Sequence, residues 1–301
     1  MLILKPDQIA LAAEILKRGE LVAFPTETVY GLGAPIFNPE AIRQIYIAKG
    51  RPSDNPLIAH ISSLDQITQI AREIPLEFTL LANAFFPGPL TIVLKKHPSV
   101  PNIVSGGLDT IAVRMPAHPV ALDLIKSVGE PIVAPSANLS GKPSSTTADH
   151  VVNDFQGKIG AVIDGGPTEY GIESTVISLI GEPCLLRLGA VSQTEIESLL
   201  KKPLGQATDQ SKLLSPGTRY RHYAPKASLR LFARQHEMET YLHTYPNVQR
   251  WINPDFTTLN LYTKLRQADD EDVEEIVIFC TPEIQQNPVL MDRLLKASLT
   301  H

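Results

Sequence analysis

Little in this sequence supports the commoner routes to a membrane, a disulfide scaffold or covalent catalysis. Among 301 residues only two are cysteine, Cys184 and Cys280. They lie far apart in apolar surroundings with no CxxC pair, which leaves no disulfide framework and suits a reducing cytosol. No apolar run approaches the roughly 20 residues of a membrane helix. The opening MLILKPDQIALAAE lacks the basic-then-apolar order of an export signal. A soluble, cytoplasmic protein without a membrane partner is expected. Basic charge is not in excess either, with 27 Lys and Arg against 32 Asp and Glu. A broad grip on nucleic acid needs a basic face, so strong direct nucleic-acid binding is not expected, although a local basic pocket remains open.

The standard catalytic signatures are also missing. There is no GxxxxGK[ST], and GLGAPI at 31–36 lacks the third glycine of a dinucleotide fingerprint. None of the eight histidines falls in HExxH or in a convincing metal-ligand spacing. No GxSxG elbow occurs, and neither cysteine has a neighbour to activate it. A covalent nucleophile is not indicated.

What is present is a mixture of strands and helices without strict alternation. Asp7 to Arg18 reads as an amphipathic helix, with Asp7 as N-cap and Gly19 just past its end. LVAF (21–24) reads as a strand continued by extended PTETVYGLG. Asn38-Pro39 opens a helix that Gly50 closes. Strands are expected at 57–61, 91–96, 110–115 and 131–134, and helices near 64–73, 76–85, 119–128 and 148–154. AVIDGG, ESTVISL and CLLRLG are strand-like, and Ser192 with Glu195 caps a helix to about 200. This pattern favours α/β or α+β with a mixed sheet over a doubly wound parallel one. Residues 1–205 form a large domain and 206–226 a polar linker. Residues 227–301 form a small α/β domain with strands at LRLFA, TTLNLYT and EEIVIFC.

Two stretches carry chemistry. In AKGRPSDNPLIAH (48–60), Lys49 sits in the last turn of a helix, and Arg51 and Asn55 each precede a proline. A residue before proline is pushed to an extended conformation, so these groups sit on a stiff strip with little entropy to lose. A triphosphate suits two such cations. In TIAVRM, Thr110, Ala112 and Arg114 share one face, and an arginine raised over a cavity holds a carboxylate or phosphate through its planar fork. Ser136 and Asn138 share a side just beyond a strand end, and Thr26 and Thr28 share one with Phe24 and Tyr30. Together these make an anion cradle that works by positioning and charge stabilisation. Singly, each has a plainer reading. Thr26 and Thr28 are also β-formers, Lys49 a solvated helix-end cation, and Arg114 a surface strand arginine. Ser136 and Asn138 are also turn-formers, and His60 a core histidine. Tyr220, His222 and Tyr223 would pack a linker on a domain.

FPTETVYGLGA, AKGRPSDNPL, FFPGPLTIVL, IAVRMPAHP, APSANLSGKPS and ESTVISL, in that order, resemble the YrdC-like threonylcarbamoyl-AMP synthases over about residues 5 to 200. SPGTRYRHYAP resembles the linker of the two-domain form. The resemblance implies a twisted open α/β sheet around a positive cavity and a small C-terminal domain. It implies that L-threonine, bicarbonate and ATP, with Mg²⁺, give threonylcarbamoyl-adenylate and pyrophosphate. The product is then passed to the transferase machinery that modifies adenosine beside the tRNA anticodon. Lys49, Arg51, Ser136 and Asn138 match the signature around the nucleotide. Asn55, Thr110, Ser144, Arg187 and Tyr223 match ATP-contacting positions. Thr28, His60, Arg114, Ala134 and Ser174 match positions around threonine. The linker tyrosine implies a lid over residues 215–226. Three other functions compete. One is a carbamoyl-adenylate former of the hydrogenase-maturation type, from which the missing CxxC pairs and upstream modules set this chain apart. The others are an RNA-binding module and a nucleotide sensor that binds without turnover.

Overall fold

The computed structural model describes residues 1–208, 211, 213–214 and 222–298. By compactness the chain divides into two units, Met1–Ser140 with Ser145–Arg219, and Gly141–Ser144 with Tyr220–His301.

The first unit is built on a mixed sheet. Its strands are β1 (Leu2–Leu4), β2 (Val22–Phe24), β3 (Gly31–Pro35), β4 (Ile58–His60), β5 (Ala71–Arg72), β6 (Leu90–Lys96), β7 (Thr110–Arg114), β8 (Ile132–Val133), β9 (Ala161–Ile163), β10 (Thr175–Ser178), β11 (Cys184–Arg187) and β12 (Gly205–Gln206). Their spatial order is β1-β9-β2-β3-β8-β4-β7-β6-β10-β11-β12, with β5 paired to β6 outside that path. Parallel pairs (β4 with β7, β6 with β10) are mixed with antiparallel ones (β6 with β7, β3 with β8). The helices are α1 (Ile9–Lys17), α2 (Pro39–Lys49), α3 (Ile67–Ile70), α4 (Leu76–Phe85), α5 (Pro119–Val128), α6 (Ala148–Phe155) and α7 (Gln193–Leu200).

Punctuation residues set several helix ends. The Asn38 side chain accepts from Ala41 N at the start of α2, where Pro39 loses no hydrogen bond, and Gly50 ends the helix with φ +59°. That left-handed conformation is open to glycine at little cost. Ser192 and Glu195 form the expected capping box of α7. Three expectations are corrected. Asp7 caps nothing, because a 3-10 turn at Pro6–Gln8 precedes α1. The helix expected over 64–73 is a 3-10 turn and the short α3. The chain then leaves the helix at Ala71 and pairs with Lys96 of β6. Residues 25–30 are not extended, because Phe24 pairs with Gly31 and the intervening segment becomes a hairpin connection.

The two faces of this sheet are treated differently. One buries Ile42 and Ile45 of α2, Ile67 of α3, Leu81 of α4, Phe155 of α6 and Ile196 of α7 against Leu32, Ala59, Ile92, Val113 and Ile177. Over β9, β2 and β8 the other face is covered by α1 and α5, whose Leu16 and Leu124 pack with Phe24 and Ile132. Over β4, β7, β6, β10 and β11 lies a smaller apolar cluster of Ile58, Val93, Ala112, Val176 and Leu186, to which α1 to α7 contribute no side chain among the described residues. Ala207 and Leu214, from the polar stretch after α7, pack against it. Side chains two positions away on a strand share its face. His60, Arg114 and Thr91 therefore project from this half of the sheet.

The second unit carries a parallel three-stranded sheet, β13 (Ser228–Phe232), β14 (Arg250–Ile252) and β15 (Glu275–Phe279), with β15 central. Its helices are α8 (Gln235–Thr244), α9 (Leu261–Asp270), α10 (Pro282–Gln285) and α11 (Pro288–Ser298). The TTLNLYT strand is corrected, since that segment enters α9. Leu261, Tyr262, Leu265 and Ala268 are buried at helical spacing, whereas Leu259 is exposed. The Gly141–Ser144 segment is anchored within this unit by Ala224 N donating to Gly141 O at 2.9 Å and Arg266 Nη2 to Pro143 O at 2.6 Å.

Candidate functional site

The hairpin connection after β2 is wired by hydroxyls. Thr26 Oγ1 donates to Val29 O at 2.6 Å and accepts from the backbone N–H groups of Thr28 and Val29. Its only proton is thus committed. In the 2.9 Å contact between Thr26 and Thr28 the Thr28 hydroxyl is then the donor, and Thr28 offers lone pairs to anything that approaches it. Between them, Glu27 is buried.

Arg114 ends β7 and is itself buried, next to His60 in the register of β4. Its Nη2 donates to Glu27 Oε1 at 2.7 Å and its Nε to Gly88 O at 3.3 Å. Of the five N–H donors of a guanidinium, two are committed. The second Glu27 oxygen, Oε2, is buried without a hydrogen-bond partner. His60 is held neutral: burial first, and the Arg114 charge second, push its pKa down to about 3. With its Nδ1 at 3.2 Å from Ile58 O, the neutral ring that donates there keeps Nε2 as an acceptor. Ala134 follows β8, and its N–H donates to Ile58 O at 2.9 Å.

The Gly88–Pro89 turn links this corner to β10, because Gly88 N donates to Met115 O and Pro89 O accepts from Thr175 N. Ser174 lies just before β10. Its hydroxyl contacts Thr91 Oγ1 at 2.7 Å, and Arg187 of β11 grips its carbonyl at 2.9 Å and its hydroxyl at 3.1 Å through Nη2. Thr175 is occupied differently, donating to Val191 O at 2.6 Å. Gly189 sits so close that a Cβ there would lie 2.3 Å from Ser174 C and Thr175 N.

On the other side of β8 lies the basic strip. Lys49 is 2% exposed. Its ammonium reaches the carbonyls of Ser136, at 2.6 Å, and of Asn138. Ser136 Oγ donates to Asn138 Oδ1, and Ser136 bridges Gly31 of β3. Arg51 donates from Nη2 to Pro56 O at 3.0 Å, and Asn55 is buried with Oδ1 unpartnered. A groove of about 750 Å³ is lined by Arg51, Tyr46, Ser53, Asp54 and Asn102 among others. Burial pushes the Tyr46 phenol up to about 12, so it stays protonated and donates to Ile103 O at 2.9 Å.

The fold thus gathers Thr28, His60, Arg114, Ala134, Ser174 and Arg187 around the half of the sheet face that carries the smaller apolar cluster, and Lys49, Arg51, Asn55, Ser136 and Asn138 form a second group linked through β3 and the segment after β8. Thr110 lies at the far end of β7, half-buried, on the same side of the strand as Arg114. Ser144 and Tyr223 belong to the second unit. There Tyr223 stacks on Tyr262 at 5.3 Å, with the Arg293 guanidinium 5.1 Å from its ring centre. Of the expected lid, residues 215–221 lie outside the described residues. Glu27 escaped the sequence reading, and so did the Gly88–Pro89 turn. The only trace of Glu27 was a carboxylate set between two threonines beside an apolar strand. Among the described residues no group of three or more His, Cys, Asp or Glu could hold a metal, and no helix is long and apolar enough to cross a membrane.

Comparison with known proteins follows this division. A family model described as telomere recombination matches residues 14–189, and one described as the threonylcarbamoyl-AMP synthase C-terminal domain matches residues 191–298. Threonylcarbamoyl-AMP synthase of Pyrococcus abyssi is 53% identical over 229 residues, spanning 74% of this chain and 67% of its own. The Bacillus subtilis protein of that name is 41% identical over 322 residues, spanning 97% and 93%. Among solved structures, P. abyssi Sua5 complexed with L-threonine is similar at a TM-score of 0.89 with 40% identity, covering 99% of this chain and 98% of that one.

Proposed function

Because the chain belongs to the threonylcarbamoyl-AMP synthase family in its two-domain form, we propose that the site described above joins L-threonine, bicarbonate and ATP. The protein is a transferase-type synthase that serves tRNA modification, and its products here are threonylcarbamoyl-AMP and pyrophosphate. The reaction is a nucleotidyl transfer. The threonine amine, in its neutral form, condenses with bicarbonate to a carbamate with loss of water, and a carbamate oxygen displaces pyrophosphate from the α-phosphorus. ATP would enter with Mg²⁺, which would offset charge on its phosphates.

The observation that carries this reading is the burial of two cations, Arg114 and Lys49, in different surroundings. Arg114, with uncommitted donors in a planar fork, suits the amino acid carboxylate. Thr28 and neutral His60 offer acceptors to its hydroxyl and amine. Lys49, locked on the carbonyls of Ser136 and Asn138, holds that loop and places fixed positive charge where negative charge grows on the departing phosphates. Arg51 lines the groove beside it, and the buried, unpartnered Asn55 Oδ1 calls for a donor such as an adenine amine. No enzyme nucleophile is needed.

The test is pyrophosphate release from pure protein with Mg·ATP and bicarbonate, with and without L-threonine. Release should require both threonine and bicarbonate, and fall at least ~100-fold in Lys49→Ala and Arg114→Ala, the scale of losing a preorganised charge. ATP binding without threonine-dependent release would make the protein a nucleotide sensor. Salt-sensitive RNA retention on filters without turnover would make it an RNA-binding module.

A further inference from the structure

Glu27 has one carboxylate oxygen on Arg114 and the other, Oε2, buried and unpartnered. A carboxylate oxygen shut away from water and left without a donor is costly. Such an atom in a well-packed site calls for an explanation. If Glu27 served only to orient Arg114, one oxygen would do, and Oε2 could face a backbone N–H or solvent. It does neither: the residue is 3% exposed.

The complement of an unsatisfied anionic oxygen is a donor that carries positive charge. An α-amino acid presents a carboxylate and an ammonium on one carbon, roughly the separation of two adjacent protein side chains. Here the two complementary groups are already adjacent: Arg114, with donors to spare, lies 2.7 Å from Glu27. Resting on the threonine reading of this site, we infer that Glu27 is the receptor for the amino acid's ammonium, so that Glu27 and Arg114 together read the zwitterionic head. Thr28, its hydroxyl proton already given to Thr26, adds a second acceptor for the same N–H fork. His60, held neutral by burial, carries no positive charge to repel the ammonium and keeps Nε2 as an acceptor. The specificity consequence is that ligands with the carboxylate and β-hydroxyl but no amine are rejected. They would leave Oε2 as it is now and place nothing on it.

The experiment compares L-threonine with 3-hydroxybutyrate, which is threonine without its amine, by isothermal titration calorimetry on the full chain. Wild type should bind threonine at least ~20-fold more tightly, the scale of one charge-assisted hydrogen bond. Glu27→Gln keeps the shape and an oxygen for Arg114 but loses the anion. Its threonine affinity should fall ~10- to 100-fold while 3-hydroxybutyrate binds as before, so discrimination collapses. Two results overturn the assignment. One is equal binding of both ligands by wild type, which decides the matter even if the variant does not fold. The other is a parallel loss for both ligands in Glu27→Gln, the signature of a residue that only holds Arg114. Failure of wild type to bind threonine at all would instead remove the threonine reading itself.

Discussion

A double-mutant cycle on the buried Arg114–Glu27 pair measures how the fold meets the cost of placing two charges in its interior. Both side chains are almost inaccessible, at 5% and 3%. In Arg114→Met the carboxylate keeps its charge and loses its only hydrogen-bonded partner, and Gly88 O loses its donor. Removing one member of a buried pair costs about 3–5 kcal/mol. Glu27→Gln keeps an acceptor for Nη2 and leaves the guanidinium uncompensated, a milder loss of about 1–3 kcal/mol. The double variant leaves a neutral amide beside an apolar side chain, with no buried charge. It should be more stable than the sum of the singles by about 2 kcal/mol or more. Urea unfolding followed by far-UV circular dichroism gives the four stabilities. The sole tryptophan, Trp251, lies in β14 of the second unit, so its fluorescence follows that unit in the same titration. Additivity within about 0.5 kcal/mol would refute the argument, because the two charges would then not depend on each other.

Other outcomes follow from single contacts. His60 is depressed from 6.5 to about 3; the unfolded chain takes up a proton there below pH 6.5 that the folded chain refuses. Its contribution is therefore present above pH 6.5 and lost as pH falls towards 3. His60→Gln should flatten stability against pH in that window by up to about 1.4 kcal/mol per pH unit, which chemical denaturation at several pH values reads. Gly189→Ala would drive a Cβ into the Ser174–Thr175 backbone and should lower stability by about 2–4 kcal/mol while raising the threonine KM. Lys49→Met strips the Ser136 and Asn138 carbonyls of a donor. It should cost about 2–5 kcal/mol of stability as well as turnover, so a fully active, equally stable variant would contradict the assigned role. Glu275→Gln in the second unit weakens its contacts with Arg230, Arg250 and Tyr241 and should lower the stability read by Trp251 fluorescence by about 2–4 kcal/mol.

How much of this was legible beforehand depended on the range of the interaction. Caps were readable because they act within four residues: Asn38, Pro39 and Gly50 bound α2 as expected, and Ser192 with Glu195 bound α7. The mixed sheet was readable as a class, although its strand order depends on pairings distant in sequence. β1 and β14, each of three residues, are too short to show an alternation. TTLNLYT does alternate, but its burial follows the turn of a helix, so the wrong period was read. The chemistry-bearing strip from Lys49 to His60 was visible because prolines and cations are crowded there. Glu27 was not, since its meaning comes from Arg114 of β7, 87 positions along the chain.

The short segment Gly141–Ser144 has a bearing on modularity. It belongs to the second unit while its flanks, Ser140 and Ser145, belong to the first, so the C-terminal body is assembled from two separate stretches of sequence. A gene fragment beginning near Tyr220 would encode a body missing the carbonyls that Arg266 and Ala224 engage. One ending before it would carry an orphaned loop in its midst. Recombination between relatives, or domain transplantation by design, is then constrained to carry two separate pieces of coding sequence together, and a crossover placed anywhere between them splits that body.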